Sequence, residues 1–378
     1  MNILYWTPLF WPDVGGTQTL AMNAIPVLAE RGYQVFVVTS HGFMEQPDFT
    51  EYKGIPVHRF PFLNALTKND IPLIMKINRQ VIELIGIFKP DLIHVDFSGY
   101  TAYFLHTTTR SQFVPILISL HGDLTGLNTG QNTITSHLFK RADWVTAVSN
   151  AILTRVRQLI PEITERSSLV YACPGPSNLA PAPLIFEKPC IAGIGRLVHE
   201  KGFDLLLDAI PAILERFPTL IVQMIGDGNE RIALEQRAIN LGIKERVEFI
   251  GSMPTKDIPT YINKATLVVI PSRWFEAFGI VAVEAALMAR PVIATNIGGL
   301  TEIVIDGVTG FLVELENPRA LADAIIKLLS EPEKAQQMGT AARLRAQQKF
   351  NLMNYVNAYD NLYQKFIEKQ SPRIGLHK

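Results

Sequence analysis

The sequence predicts an α/β protein made of two doubly wound parallel-sheet domains, and three observations carry that expectation. Its 378 residues exceed the roughly 100–200 of one ordinary domain. Short runs rich in β-branched and aromatic residues alternate with longer helical patterns almost throughout, which is the rhythm of βαβ units. One proline-dense stretch, CPGPSNLAPAPLIFEKP at 173–189, has neither period and interrupts that rhythm as a linker does.

In the first half the apolar runs place strands near 2–6, 34–40, 55–60, 91–96, 115–120, 144–148 and 168–173, with helices notably over 17–31 and 72–88. After the linker the alternation restarts, with strands near 190–194, 220–225, 247–250, 267–270, 291–295 and 310–313. Helices separate them near 202–216, 229–241, 256–263 and 277–288, and from 317 onward the pattern is helical. The expected division is 1–178, 179–350 and a final amphipathic helix within 351–378. In open α/β sheets ligands bind beyond the carboxyl ends of the strands, so a central cleft lined by both sets of strand ends is the expected site.

Composition narrows the function. Hydrophobic residues make up 48% and charged residues 19%, a globular balance that excludes extensive disorder. Lys plus Arg equals Asp plus Glu at 35 each, so no overall field points to nucleic acid. Cys173 and Cys190 are too few for a disulfide framework, and a reducing compartment fits them. The opening MNILYWTPLF lacks the basic and long apolar regions of a secretory signal and reads as a first strand. Charges such as Lys76, Arg79, Glu83 and Arg273 break the most apolar stretches before the roughly 20 residues of a membrane span. A cytoplasmic protein is expected, with the inner face of a membrane as its alternative place of work.

The segment PSRWFEAFGIVAVEAALMARPVIATNIGG, 271–299, poses the chemical question, because it carries Glu276 and Glu284 in very apolar surroundings. A carboxylate held from water needs a cation, a donor or a ligand. Glu276 falls in a loop after a strand, and Phe278, Gly279 and Ile280 open the helix that bears Glu284. The two carboxylates suit a ligand with hydroxyl-rich ends and a diphosphate between, gripped by the N–H groups of the helix start. The competing reading puts Glu284 on a wet helix face and pairs Glu276 with Arg273.

Other residues converge on the same chemistry. In GIGRLVHEKGFDLLLDAI, Arg196 and Lys201 sit between a strand end and a helix start, where a diphosphate needs a guanidinium fork and a mobile point charge. Gly15 and Gly16 mark the first strand-to-helix connection; a phosphate approaching the backbone and a tight turn needing φ > 0 explain them equally well. His121 ends the strand PILISLHGD and can donate to a sugar hydroxyl or a developing charge, though a lone histidine is more often structural. G-x-G-x-x-G is missing from both strand-to-helix turns, and no P-loop, G-x-S-x-G, H-E-x-x-H or D-x-D occurs, so a metal bridging carboxylates and diphosphate is not encoded in the obvious way.

PDVGGTQ, RGYQVFVVTS, ADWVTAVSNAI, GIGRLVHEKGFDLLLDAI, MIGDGNE, VEFIGSM and the 271–313 segment together resemble the retaining glycosyltransferases of family 4, which have the GT-B fold. That family includes phosphatidylinositol mannosyltransferases, lipopolysaccharide glucosyltransferases and sucrose-phosphate synthases. The resemblance implies a hexosyl-type transferase using a nucleotide-diphosphate sugar such as a UDP- or GDP-sugar, with no metal or other cofactor. It implies that Arg196 and Lys201 hold the diphosphate, Glu276 meets the sugar and Glu284 the ribose. Phe278 to Ile280 would offer N–H groups, Gly16 beside Gly15 would approach the phosphate, His121 would face the reacting carbon, and the backbone at Ser252 and Met253 would read the base. The family's last helix crosses back to the first domain, which would suit the segment after 350. Two departures stand out: CPGPSN replaces a frequent Asn-Gly before the linker, and Arg290 replaces a frequent glycine.

Two other functions fit the plan: a nucleotide-sugar epimerase or phosphorylase, and a non-catalytic sugar-nucleotide-binding partner of another transferase. The acceptor, whether glycan, lipid-linked or small molecule, is open. FLNALTKNDIPLIMKINR, with Lys68, Lys76 and Arg79, reads equally as a surface resting on anionic lipid and as a packed helix with a basic edge. Residues 1–180 hold 13 basic and 13 acidic side chains, so no domain-wide attraction to a membrane is present.

Overall fold

The computed structural model describes residues 1–370 except 14, 43–45, 98, 111–112, 123–129 and 131–132, with backbone alone for Tyr100, Lys369 and Gln370. The chain forms two compact units, one of Met1–Tyr171 joined by the segment from Leu352 onward, the other of Ala172–Asn351. The first boundary falls ahead of the proline-rich stretch, and the strand expected at 168–173 is shorter, at Ser167–Leu169. Prolines 174 and 176 deny the ladder its donors.

The first unit is built on an eight-stranded sheet. In chain order its strands are β1 (Asn2–Trp6), β2 (Gln34–Ser40), β3 (Phe49–Tyr52), β4 (Ile55–Phe60), β5 (Leu92–Asp96), β6 (Ile116–Leu120), β7 (Trp144–Ala147) and β8 (Ser167–Leu169). They lie in the order β3-β4-β2-β1-β5-β6-β7-β8, parallel except for β3, which pairs antiparallel with β4. Sequence pattern misses β3, because an edge strand with no buried face shows no apolar alternation. Its signal is the tight Lys53-Gly54 turn, both residues at positive φ.

The inner strands β1, β5 and β6 are buried along nearly their whole length, as parallel strands covered by helices must be, and the polar side chains of His94, Asp96 and Ser119 are buried with them. One cover is the last helix, Leu352–Gln370, which returns to this unit. Tyr355, Tyr359, Tyr363 and Phe366 form its buried face, and Asp360 pairs with Arg31 at 2.6 Å on its rim. No helix among the described residues is long and apolar enough to cross a membrane.

The second unit carries β9 (Cys190–Ile194), β10 (Ile221–Ile225), β11 (Val247–Gly251), β12 (Leu267–Ile270), β13 (Val292–Thr295) and β14 (Gly310–Val313). All six are parallel, in the order β11-β10-β9-β12-β13-β14. Ile191, Val222, Leu267 and Ile293 pack with Leu206, Ile210 and Ile213 of helix Phe203–Leu214 and Leu321, Ile325 and Leu328 of helix Pro318–Ser330. In each sheet the chain leaves a first strand to one side and later returns to the other, between β1 and β5 in one and between β9 and β12 in the other. These switch points open crevices at the strands' carboxyl ends.

Candidate functional site

At the switch point of the second unit, β9 is followed by Gly195 and Arg196, and β12 by the loop carrying Ser272 to Glu276. Lys201 closes a short turn of 3₁₀-helix, His199–Lys201, and reaches across to Glu276, its Nζ 2.6 Å from Oε2. The Ser272 hydroxyl donates to the same carboxylate oxygen at 3.1 Å. Gly195, Lys201, Ser272, Glu276, Gly279 and Ile280 line a pocket of about 80 Å³. The Arg196 side chain, exposed and next in sequence to Gly195, makes no hydrogen bond or ion pair among the described residues.

The pairing of Glu276 with Arg273 does not occur. Arg273 instead holds both carboxylate oxygens of Asp204, one at 2.6 Å, and reaches Glu316 at 2.7 Å. With the Arg273 N–H on the Glu200 carbonyl at 2.9 Å, this clamps the 271–276 loop onto the turn that bears Lys201. The other side of the loop rests on the glycine pair at 298–299. A Cβ on Gly298, already at φ +54, would stand 2.2 Å from the Glu276 carbonyl oxygen, and the Gly299 N–H donates to that oxygen at 2.8 Å. Glu276 is therefore fixed by backbone on one side and by Lys201 on the other.

The helix expected from 277 begins at Ile280, because Gly279 takes φ +103 as its cap, a conformation that only glycine adopts without strain. Phe278 lies before it, its ring buried against Phe350, so only its backbone is placed for a ligand role. Glu284 sits on the buried side of helix Ile280–Leu287 and not on a wet face, 8% exposed. No hydrogen bond reaches its carboxyl among the described residues, and burial pushes its pKa up to about 8. Met253 follows β11 in a loop at that strand's carboxyl end.

The remaining candidates belong to the first unit. Gly15 is extended at φ −178 and caps helix Gly16–Glu30. Neither it nor Gly16 takes a positive φ, which removes the tight-turn explanation, and nothing among the described residues stands within 4 Å of where a Gly16 Cβ would be. His121 directly follows β6, its Nε2 2.8 Å from Oδ1 of Asp96 at the end of β5. Tyr5 of β1 donates its hydroxyl to the same carboxylate at 2.9 Å. Burial alone raises the Asp96 pKa, but the nearness and hydrogen bond of His121, helped by His94 and the Tyr5 hydroxyl, hold it below the usual carboxylate range. Asp123 lies outside the described residues.

Of the residues singled out in the sequence, Lys201, Glu276, Gly279 and Ile280 line one pocket, while Ser272, which bonds Glu276, and Asp96 and Tyr5, which stand with His121, were not among those singled out. Asp96 carried a signal, since an acid closing the apolar run LIHV must find a partner. Ser272 carried none. Among the described residues no group of histidine, cysteine and acidic side chains is arranged to hold a metal ion.

Residues 14–173 match the family model described as Glycosyltransferase Family 4, and residues 181–345 match Glycosyl transferases group 1. An uncharacterised glycosyltransferase of Methanocaldococcus jannaschii is 28% identical over 338 residues, 88% of this chain and 89% of its own. The fold is similar to that of sucrose-phosphate synthase from Thermosynechococcus elongatus, with TM-score 0.81, 21% identity and coverage of 98% and 100% of the two chains. It is also similar to Anabaena HepE in complex with UDP-glucose, with TM-score 0.78, 23% identity and coverage of 97% and 100%. The architecture is thus GT-B.

Proposed function

The chain belongs to the family 4, group 1 glycosyltransferases, and on that premise we propose that it moves a hexosyl-type sugar from a nucleotide-diphosphate donor to an acceptor with retention of configuration. The observation that carries this reading is the Lys201–Glu276 pair, at a strand switch point and next to a helix start, in a segment that also bears the exposed Arg196. Lys201 has three N–H donors, so one can stay on Glu276 while the others meet a phosphate. Arg196 supplies a second charge and the Gly279–Ile280 backbone the helix-end dipole, so the leaving diphosphate is neutralised by protein groups without a divalent ion.

Glu276, oriented by Ser272 and Lys201, accepts hydrogen bonds from the donor sugar, Glu284 meets the ribose and the backbone at Met253 reads the base. Gly15, Gly16 and His121 are further proposed contacts of the donor. In the transfer, the bond from the anomeric carbon to the phosphate oxygen breaks while the acceptor oxygen bonds that carbon on the same face. The acceptor proton passes to the departing phosphate, and no enzymic nucleophile is needed. The UDP-glucose complex of HepE supports a UDP-sugar, and a GDP-sugar is the other candidate. A cytoplasmic place of work fits this donor.

The test is a thermal-shift screen of UDP-, GDP- and ADP-sugars, followed by donor turnover with and without added acceptors and by assignment of the product anomer. A ligand at 100 times its dissociation constant stabilises by about 2.7 kcal/mol, a readily measured shift. An inverted product, or no stabilisation by any donor, refutes the proposal.

A further inference from the structure

We propose that Asp96 is the positioning residue for His121, fixing which ring nitrogen a ligand meets. The inference rests on the reading of His121 as a group facing the reacting sugar, and adds to it a buried partner outside the pocket of the second unit.

Asp96 is 1% exposed, and among the described residues its one ion-pair partner is His121. A buried carboxylate is costly unless its lone pairs are occupied, and here a single imidazole and a single phenol occupy them. The neighbouring polar groups do not depend on it. Burial lowers the His94 pKa to about 3, so that ring is neutral, and it is satisfied by the Tyr363 hydroxyl at 2.5 Å and the Ser119 hydroxyl at 2.7 Å. Ser119 is in turn bonded to Tyr359 at 2.7 Å and Thr146 at 2.9 Å. Among the described residues, deleting the Asp96 charge would therefore orphan Tyr5 and His121 alone. Tyr5 is itself fixed edge-on against His94, with ring centroids 4.6 Å apart.

An acceptor facing one ring nitrogen decides where the proton of a neutral imidazole resides. With Nε2–H donating to Asp96, the lone pair lies on Nδ1, which makes no hydrogen bond among the described residues and is the nitrogen left for a ligand. Replacing the carboxylate by an amide allows the opposite arrangement, with the amide N–H donating to Nε2 and the ring proton on Nδ1. Geometry and volume are preserved while the outward nitrogen changes character.

The experiment joins a spectroscopic readout to a kinetic one. Long-range ¹H–¹⁵N spectra of histidine-labelled protein, with His121 assigned from the His121→Ala variant, should show the Nε2–H tautomer in the parent and its loss in Asp96→Asn. With UDP-glucose and GDP-mannose as donor probes, Asp96→Asn should lower kcat by about 100-fold, with donor KM within about threefold. The same substitution in the His121→Ala background should cost nothing further, as expected of residues acting as one unit. Tyr5→Phe keeps the ring packing and deletes one donor, and about a fivefold loss is expected. An unchanged His121 tautomer in Asp96→Asn, or an equal loss in both backgrounds, overturns the proposal. A parent protein inactive on every donor overturns the transfer reading and this role together; an active parent with an unaffected Asp96→Asn overturns this role alone.

Discussion

The ammonium of Lys201 lies 2.6 Å from the Glu276 carboxylate although 75 residues separate the two in the chain. Each partner is partly shielded, with 26% and 19% of the side chain exposed. The pair neutralises itself in the absence of a ligand and keeps both groups aimed into one pocket.

If that pair grips a sugar diphosphate, either half should be indispensable to turnover and nearly dispensable to folding. Charge-assisted hydrogen bonds contribute about 1.5–3 kcal/mol each, so losing two or more in the transition state lowers turnover by about 100-fold or more. Lys201→Ala and Glu276→Ala should show this with far-ultraviolet circular dichroism unchanged. Near-normal transfer by either purified variant would contradict the assignment.

Glu284 should leave a signature in stability against pH. Burial raises its pKa from 4.5 to about 8, so the folded protein holds a proton that the unfolded chain has released. This contribution is complete below pH about 4.5, declines by about 1.4 kcal/mol per pH unit as pH rises, and is lost once pH passes about 8. Glu284→Gln should flatten that segment and be more stable than the parent at pH 9. Urea midpoints at pH 5, 7 and 9 for both proteins measure the difference.

Arg290, fully buried, donates to the backbone carbonyls of Ile262, Asn263 and Ala182 and has no carboxylate partner among the described residues. Asn263 also accepts from the Ala182 N–H at 2.8 Å and donates to the Ala180 carbonyl, so the two side chains fasten residues 180–182 to the rest of the second unit. Arg290→Gly would empty the site and orphan these carbonyls at a cost of about 3 kcal/mol or more. A lowered denaturation midpoint and faster proteolysis within 176–188 are expected. Unchanged values for both would show that the arginine fastens nothing.

Tyr363 should be required by the first unit although it comes from the far end of the chain. Its hydroxyl meets Nδ1 of the buried His94, so Tyr363→Phe should cost about 1–3 kcal/mol. Removing residues 352–370 should unfold the first unit and leave the second cooperative. Calorimetry resolving two transitions would distinguish the variants, and a first transition unmoved by truncation would refute the claim.

Much of this was legible because parallel strands buried on both faces are written as uninterrupted apolar runs. Of the fourteen strands among the described residues thirteen overlap expected positions, most plainly the buried runs Leu267–Ile270 and Val292–Thr295, and the exception, Phe49–Tyr52, is an edge strand with no buried face. Lys201 and Glu276 were legible for a related reason, since charges at the ends of apolar runs stand out. Their partners were not: Arg273 is as close in sequence to Glu276 as a partner could be, yet it binds Asp204 and Glu316.

From the chain of letters alone came the alternation of strands and helices, the linker, the strand ends that carry charge and the glycines that make tight approaches. Those are local properties, fixed by periodicity, backbone freedom and the cost of burying polar groups. The fold alone decided that Glu276 pairs with Lys201, that Glu284 is buried with its pKa raised, that Asp96 stands behind His121 and that Tyr363 bonds a strand residue more than two hundred residues away. Each is a long-range contact, chosen by the order in which strands pair within a sheet, and no local pattern encodes that order.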